Sequence, residues 1–206
     1  MIGDSAAVIH GVSRETQAAL EIYAELLRKW SPRINLVAPN TLSDLYVRHF
    51  ADSLQLLNLR PKNARVWADL GSGGGFPGLV VAIAARDVQS GLEMHLVESD
   101  QRKATFLRTV SRETQTPVVV HATRVEDLVP LGADVVSARA LAPLPGLLSM
   151  VRRHLAPKGV ALLPKGKSYE SETLSARELW RFSLDTFPSE TDPGAAILKI
   201  GDLCHV

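Results

Sequence analysis

Cysteine is almost missing from this sequence. Of 206 residues only Cys204 is one, so no internal disulfide can form and a reducing compartment is expected. Long apolar runs are missing as well. None nears the roughly 18 residues a membrane helix needs, and residues 1–15 show neither the basic start nor the apolar stretch of a secretory signal, so a cytoplasmic protein is expected. Charge of one sign is the third absence. With 23 Lys and Arg against 22 Asp and Glu the net charge is +1, whereas chains that grip nucleic acid through its phosphates carry a clear basic excess. Any such contact must be a local patch. Repeats and low-complexity tracts are absent too, and 46% hydrophobic with 22% charged residues predicts one globular domain over 1–206, with a monomer expected.

Helical spacing comes first along the chain. Ala19, Ile22, Tyr23, Leu26, Leu27 and Trp30 recur at steps of three and four, one stripe of a helix that Pro32 is expected to end. A second helix is expected from Thr41, whose hydroxyl can cap it with Asp44 three positions on; Leu42, Leu45, His49, Ser53, Leu54 and Leu57 share its inner side. Residues 1–60 therefore read as an N-terminal helical cap. After Pro61, apolar runs at 66–70, 94–97, 118–120, 134–138 and 160–163 alternate with helical segments at 79–85, 102–111 and 147–155. That alternation predicts an α/β core over 61–206, a mostly parallel sheet with helices on both faces. The tail differs: beyond a polar helix near 168–179, runs at 182–187 and 195–200 flank the turn-rich PSETDPG, an antiparallel hairpin at the sheet edge.

The segment from Asp69 through Gly71, Gly73 and Gly75 to Phe76-Pro77-Gly78 lies where a strand ends and a helix begins, with Pro77 suited to the first helical position. A triphosphate loop needs a lysine after its glycines, and none follows; a dinucleotide loop needs glycine where Phe76 stands. What remains is D-x-G-x-G-x-G. A carboxylate at Asp69 repels a pyrophosphate but tolerates a ligand bearing an ammonium and a sulfonium, such as S-adenosylmethionine. Glu98 closes the next apolar strand, 27 residues beyond Gly71, where an acid can accept both hydroxyls of a ribose. Arg124-Val125-Glu126-Asp127 follows the third strand and can reach the adenine rim, although acids in such loops also serve as helix caps. Arg139 ends the fourth strand, on the side where open parallel sheets bind ligands, unless it only pairs with Asp69 or Asp134.

With these residues in hand, the chain resembles the RsmG (GidB) family of bacterial 16S ribosomal RNA guanine-N7 methyltransferases over nearly its whole length. Lys29-Trp30 with Asn35-Leu36, the run from Arg48-His49 to Asp52-Ser53, the glycine loop into Phe76-Pro77-Gly78, residues 102–107, Arg124-Val125-Glu126, Arg139-Ala140 and Lys165-Gly166 carry the likeness. Val37 and Ala138 depart from it, where a hydroxyl residue and a serine are usual. The resemblance implies a Rossmann-like class I methyltransferase fold and S-adenosyl-L-methionine as cofactor. It implies 16S rRNA, within the small subunit or an assembly intermediate, as the partner. It further implies that Gly71, Phe76, Val125, Glu126 and Arg139 contact the cofactor, and that Arg48, His49 and Lys165 lie near the RNA or support the pocket.

Guanine N7 already offers a lone pair, so transfer to it needs no catalytic base; Arg48, His49 and Arg139 are then candidates for positioning, and no metal is expected. His49 and Asp52, three apart on one helix, could pair as acid and base or simply be satisfied in the helix-to-sheet contact. Arg48 beside the cavity could hold a phosphate or guanine O6, or form a surface ion pair. Basic residues gather at Arg102, Lys103, Arg108 and Arg112, at Arg152, Arg153 and Lys158, and at Lys165 and Lys167; the last two follow a strand on the ligand side and are the first choice for RNA. A small-molecule methyltransferase and a non-catalytic nucleotide-binding regulatory module are the competing functions.

Overall fold

In a computed structural model of the protein, residues 11–88 and 91–206 are described. The strands are β1 (Val66–Leu70), β2 (Glu93–Val97), β3 (Val119–His121), β4 (Ala133–Ser137), β5 (Leu155–Lys165), β6 (Trp180–Pro188) and β7 (Ala196–His205). They form one sheet in the order β3-β2-β1-β4-β5-β7-β6. The first five run parallel, and β7 enters antiparallel between β5 and β6, so the expected hairpin closes one edge. This is the Rossmann-like α/β arrangement. The ligand crevice of such a sheet lies beyond the carboxyl ends of its parallel strands.

Helices cover both faces: α1 (Arg14–Ile34), α2 (Asp52–Leu59), α3 (Gly78–Val88) and α4 (Gln101–Glu113) on one, α5 (Leu144–His154) and α6 (Tyr169–Arg177) on the other. The period-two alternation of a strand divides β1 between them. Trp67 enters a core with Leu20, Phe50 and Ile83, while Ala68 and Leu70 enter a second with Leu147, Val151 and Leu163. Asp69 is on the Trp67 side, beneath α3.

The cap departs from expectation at two points. Pro32 does not end α1, which continues to Ile34. A proline inside a helix loses its N–H bond and crowds the carbonyl four residues before it, but Pro32 stands in the last turn, where buried Leu27 and Ser31 hold the helix on the core and Asn35, left-handed at φ 49°, donates its N–H to the Ser31 carbonyl at 2.9 Å. Thr41 does not cap a helix either. It closes a short 3-10 turn (Pro39–Thr41), and a wide-turned π-helix (Tyr46–Ala51) carries Arg48 and His49 before α2 starts at Asp52. Elsewhere the differences are at boundaries: α5 starts at Leu144 and β5 already at Leu155, and α6 stops at Arg177.

Candidate active site

The glycine loop is laced to its strands by its own backbone. Ser72 donates its N–H to Val97 at 3.0 Å, and the Gly75 and Phe76 amides return to the Ser72 carbonyl. Gly78 is where α3 descends onto the sheet: a Cβ there would stand 2.5 Å from the Asp69 Cβ and 2.7 Å from Leu96 Cδ2. The Asp69 carboxylate is consequently sealed under the loop, 0% exposed, receiving the Ser137 hydroxyl at 2.7 Å. Burial raises its pKa to about 6, although the Ser137 and Ser72 hydroxyls, the Gly78 N–H and Arg139 all pull it down.

Above the loop opens a cavity of about 380 Å³, within the roughly 300–1,000 Å³ of small-molecule sites. Gly71, Gly73, Glu98, Val125, Glu126 and Arg139, six of the sequence candidates for cofactor contact, line it. Glu98 is buried and already accepts two amides, Gly73 N–H on Oε2 and Asp100 N–H on Oε1, both at 2.8 Å. Each oxygen keeps a further lone pair. One carboxylate thereby fixes the loop and lines the cavity. Val125 is held by its carbonyl, which His154 Nε2 reaches at 3.0 Å; a carbonyl only accepts, so the buried His154 carries its proton on Nε2 and its Nδ1 lacks a partner. Asp69, Gly75 and Phe76 do not line this cavity; they lie behind its wall.

Arg139 is the knot between cavity and cap. It forms no ion pair with Asp69 or Asp134; Asp134 instead takes the Arg65 and Val66 amides. Its guanidinium meets Asp52 Oδ2 at 3.3 Å and His49 Nδ1 at 2.8 Å, and lies 4.9 Å from the centre of the Phe76 ring. Arginine only donates, so His49 Nδ1 is an acceptor and the proton sits on Nε2, 2.9 Å from Thr41 Oγ1. Thr41 in turn donates to the Ala38 carbonyl at 2.8 Å, which leaves its oxygen to accept from His49. The chain of hydrogen bonds thus runs one way, Arg139 to His49 to Thr41 to Ala38. Burial first, then Arg139 and Arg48, lower the His49 pKa to about 4, so the ring is neutral at pH 7. His49 and Asp52 are not an acid–base pair; they are two hands on one arginine. Ala140, left-handed at φ 54° without being glycine, turns the chain directly after it at a cost of about 1–2 kcal/mol.

Beyond Arg139 a groove opens between Arg48, Asp52, Lys165 and the β6–β7 turn around Ser189 and Thr191. Arg48 is exposed and takes no ion pair among the described residues. Lys165 is different: Nζ gives bonds to the Ala142 carbonyl at 3.0 Å and Glu172 Oε2 at 2.8 Å. Burial would raise the Glu172 pKa, but Lys165 and the Leu144 N–H outweigh it and hold the carboxyl below its usual value. Lys165 therefore braces the groove's rim. Lys167 is exposed and lies along Gly194 of the β6–β7 turn. Among the other basic clusters, Arg102 and Arg112 are spent on Asp100 and Glu113, and Arg153 on the Leu128 carbonyl.

Several participants carry no signal in the sequence. Thr191, whose hydroxyl reaches Asp52 Oδ1 at 3.0 Å, and Ser137 and Glu172 are ordinary polar residues until the fold brings their partners. Leu141 and Met150 join the cavity wall without any local pattern to mark them.

A parallel sheet with an inserted antiparallel strand, a glycine loop after β1 and a carboxylate at the end of β2 define a methyltransferase of the class I α/β type. Two solved structures share the fold at 13% identity: a methyltransferase from Geobacter sulfurreducens (TM-score 0.59, 89% of this chain and 88% of that one) and an O-methyltransferase from Bacillus cereus in complex with SAH (0.57, 95% and 94%). Within that class the family is specific. The model of rRNA small subunit methyltransferase G (GidB) matches residues 16–190, and the chain belongs to this family. It is 51% identical to ribosomal RNA small subunit methyltransferase G of Cereibacter sphaeroides, over 95% of this chain and 94% of the relative. The Rhodospirillum centenum protein of the same name is 52% identical over 94% and 87%.

Proposed function

We propose that the chain moves the methyl group of S-adenosylmethionine to N7 of a guanine in 16S rRNA, in the small ribosomal subunit or an assembly intermediate. It acts as a one-domain monomer of the cytoplasm; among the described residues no helix is long and apolar enough to cross a membrane. One observation carries this reading: Arg139 borders both the cavity over the glycine loop and the groove that presents Arg48. A donor and a polyanionic target approached from opposite sides would meet there.

The residues present fit the donor. Glu98 can take a ribose diol on its remaining lone pairs, Val97, Val125, Leu141 and Met150 offer an apolar slot for a purine, and no loop lysine waits for a phosphate. When bound, S-adenosylmethionine supplies an electrophilic methyl on a sulfonium. The chain's own task is placement. Asp69 is sealed under the loop and the His49 lone pair is taken by Arg139, so neither serves as a base, and guanine N7 needs none. Arg48 and Lys167 hold the RNA backbone, Lys165 and Glu172 keep the rim in shape, and Arg139 faces the target base. Holding donor and N7 in line in a dry site supplies several kcal/mol of barrier lowering.

Tritiated methyl from S-adenosylmethionine should enter 16S rRNA, and mass analysis should find one N7-methylguanine fewer in RNA from cells lacking the chain. Absence of incorporation into both small subunits and free 16S rRNA, with a pyridine dinucleotide saturating the cavity, would refute the proposal.

A further inference from the structure

We infer that Tyr23, from the middle of the N-terminal helix α1, is a positioning residue for the donor loop: its hydroxyl and ring set the shape of the glycine turn that the cofactor must meet. Tyr23 is fully buried, and its hydroxyl donates to the carbonyl of Gly74. Its ring stacks on Phe76 of the same loop, centroids 5.6 Å apart and planes 16° apart, and touches Phe50 and Phe106 at 5.2 and 6.2 Å. The loop is moulded around that hydroxyl. At Gly75, with φ 99°, a Cβ would overlap Tyr23 Oη and stand 3.0 Å from Leu79 Cβ; at Gly74 it would stand 2.9 Å from the Leu36 carbonyl.

The geometry explains why a helix outside the α/β core is needed for the cofactor site. Gly71 and Gly73 face the cavity, while Gly74 and Gly75 turn away from it, toward α1. The Gly74–Gly75 peptide is held at both ends: its N–H donates to the Ser72 carbonyl within the loop at 2.7 Å, and its carbonyl is pinned by a phenol from another element. Tyr23 touches no ligand. It acts through the Gly74 peptide on the Gly73 N–H, which the Glu98 carboxylate must also meet.

The inference rests on the cavity being the donor site. Tyr23→Phe keeps the ring and deletes only the hydroxyl. Its isosteric control is Thr16→Val, about two helix turns away, which deletes the 2.7 Å bond from Thr16 Oγ1 to Asp87 and so loosens α1 without touching the loop. Both variants are measured by thermal unfolding and by calorimetry with S-adenosylhomocysteine, at a temperature where both are folded. Tyr23→Phe should bind about three- to tenfold more weakly, and its KM for S-adenosylmethionine should rise by the same factor with kcat nearly kept, whereas Thr16→Val should lower only the melting temperature. Unchanged affinity in a folded Tyr23→Phe would overturn the inference, as would equal loss in both variants. Absence of binding by the unaltered chain would instead strike the donor-site reading. If Tyr23→Phe does not fold, 3-fluorotyrosine in the unaltered chain decides: with three tyrosines, assigned through Tyr46→Phe and Tyr169→Phe, the Tyr23 resonance should shift as S-adenosylhomocysteine saturates, and a resonance that stays put would overturn the inference.

Discussion

The two sides of the site are made differently. The cavity over the glycine loop, which we propose takes the donor, is built on a local backbone turn: a run of glycines after β1, the ends of β2 and β3, and one carboxylate that closes on the loop's own amide. The groove beyond Arg139, to which the proposal assigns the RNA, is mostly side chain, and its partners are remote in sequence. Arg139 and His49 are 90 residues apart, and Asp52 and Thr191 are 139 apart. The glycine turn, a cradle at the base of the cavity, depends on backbone conformations that few residues allow, so substitution within that turn is severe. A groove of long side chains tolerates exchange at its rim and fails only where one group serves several partners. Arg139 is that group.

The sharpest way to break the contrast is Gly78→Ala. Its methyl would overlap Asp69 and Leu96, so we expect about 2–4 kcal/mol lost, a melting temperature lowered by several degrees and no measurable cofactor binding. Near-normal binding would show that the cradle can yield. Next comes Arg139→Lys, which keeps the charge but not the fork that spans Asp52, His49 and Phe76; rRNA methylation should fall about 10- to 100-fold, with S-adenosylhomocysteine affinity within a fewfold of normal. Full activity with lysine would mean that charge alone suffices. Lys165→Ala should cost about three- to tenfold in activity on ribosomal substrate and leave cofactor affinity unchanged, because it frees Glu172 and the Ala142 loop at the groove only. Equal loss on both sides would erase the division between them.

The smallest effect concerns pH. Asp69 holds its proton more tightly folded, at about 6, than its ordinary 3.8, so its contribution to stability is greatest below 3.8 and is lost as pH rises toward 6. His49 is the reverse: lowered from 6.5 to about 4, its contribution is complete above 6.5 and is lost as pH falls toward 4. Between pH 4 and 6 the two slopes oppose. Asp69→Asn removes one of them, so the variant's stability should rise steadily from pH 4 to 6.5 and exceed that of the unaltered chain at pH 7 by about 1–2 kcal/mol. Parallel urea curves for the two proteins across this range would show that Asp69 is not the source.

Much of the cavity over the glycine loop was legible because its signals are local. The apolar runs at 66–70 and 94–97 lie within β1 and β2, and the glycines stand where the chain must turn left-handed: Gly71, Gly73 and Gly75 all have positive φ. Glu98 was legible from its place at a strand end. Asp69 was legible as important and misjudged in place, since nothing in a sequence distinguishes a carboxylate facing a ligand from one sealed beneath the loop. The cap was harder. Pro32 is a helix breaker by its own chemistry, but the buried turn around Leu27 and Ser31 outweighs the lost hydrogen bond and the crowding of its ring. The π-turn around Arg48 and His49 has no periodic signature over so few residues.

Local chemistry alone determined the alternation of strands and helices, the hairpin around PSETDPG and the glycine turn, because each depends on dihedral preference and on apolar spacing within a few residues. Tertiary structure alone decided that Arg139 turns to His49 and Asp52, that Lys165 is spent on Glu172, and that a phenol from α1 holds Gly74. A side-chain hydrogen bond acts over about 3 Å, and only the folded sheet brings such distant parts of the chain that close.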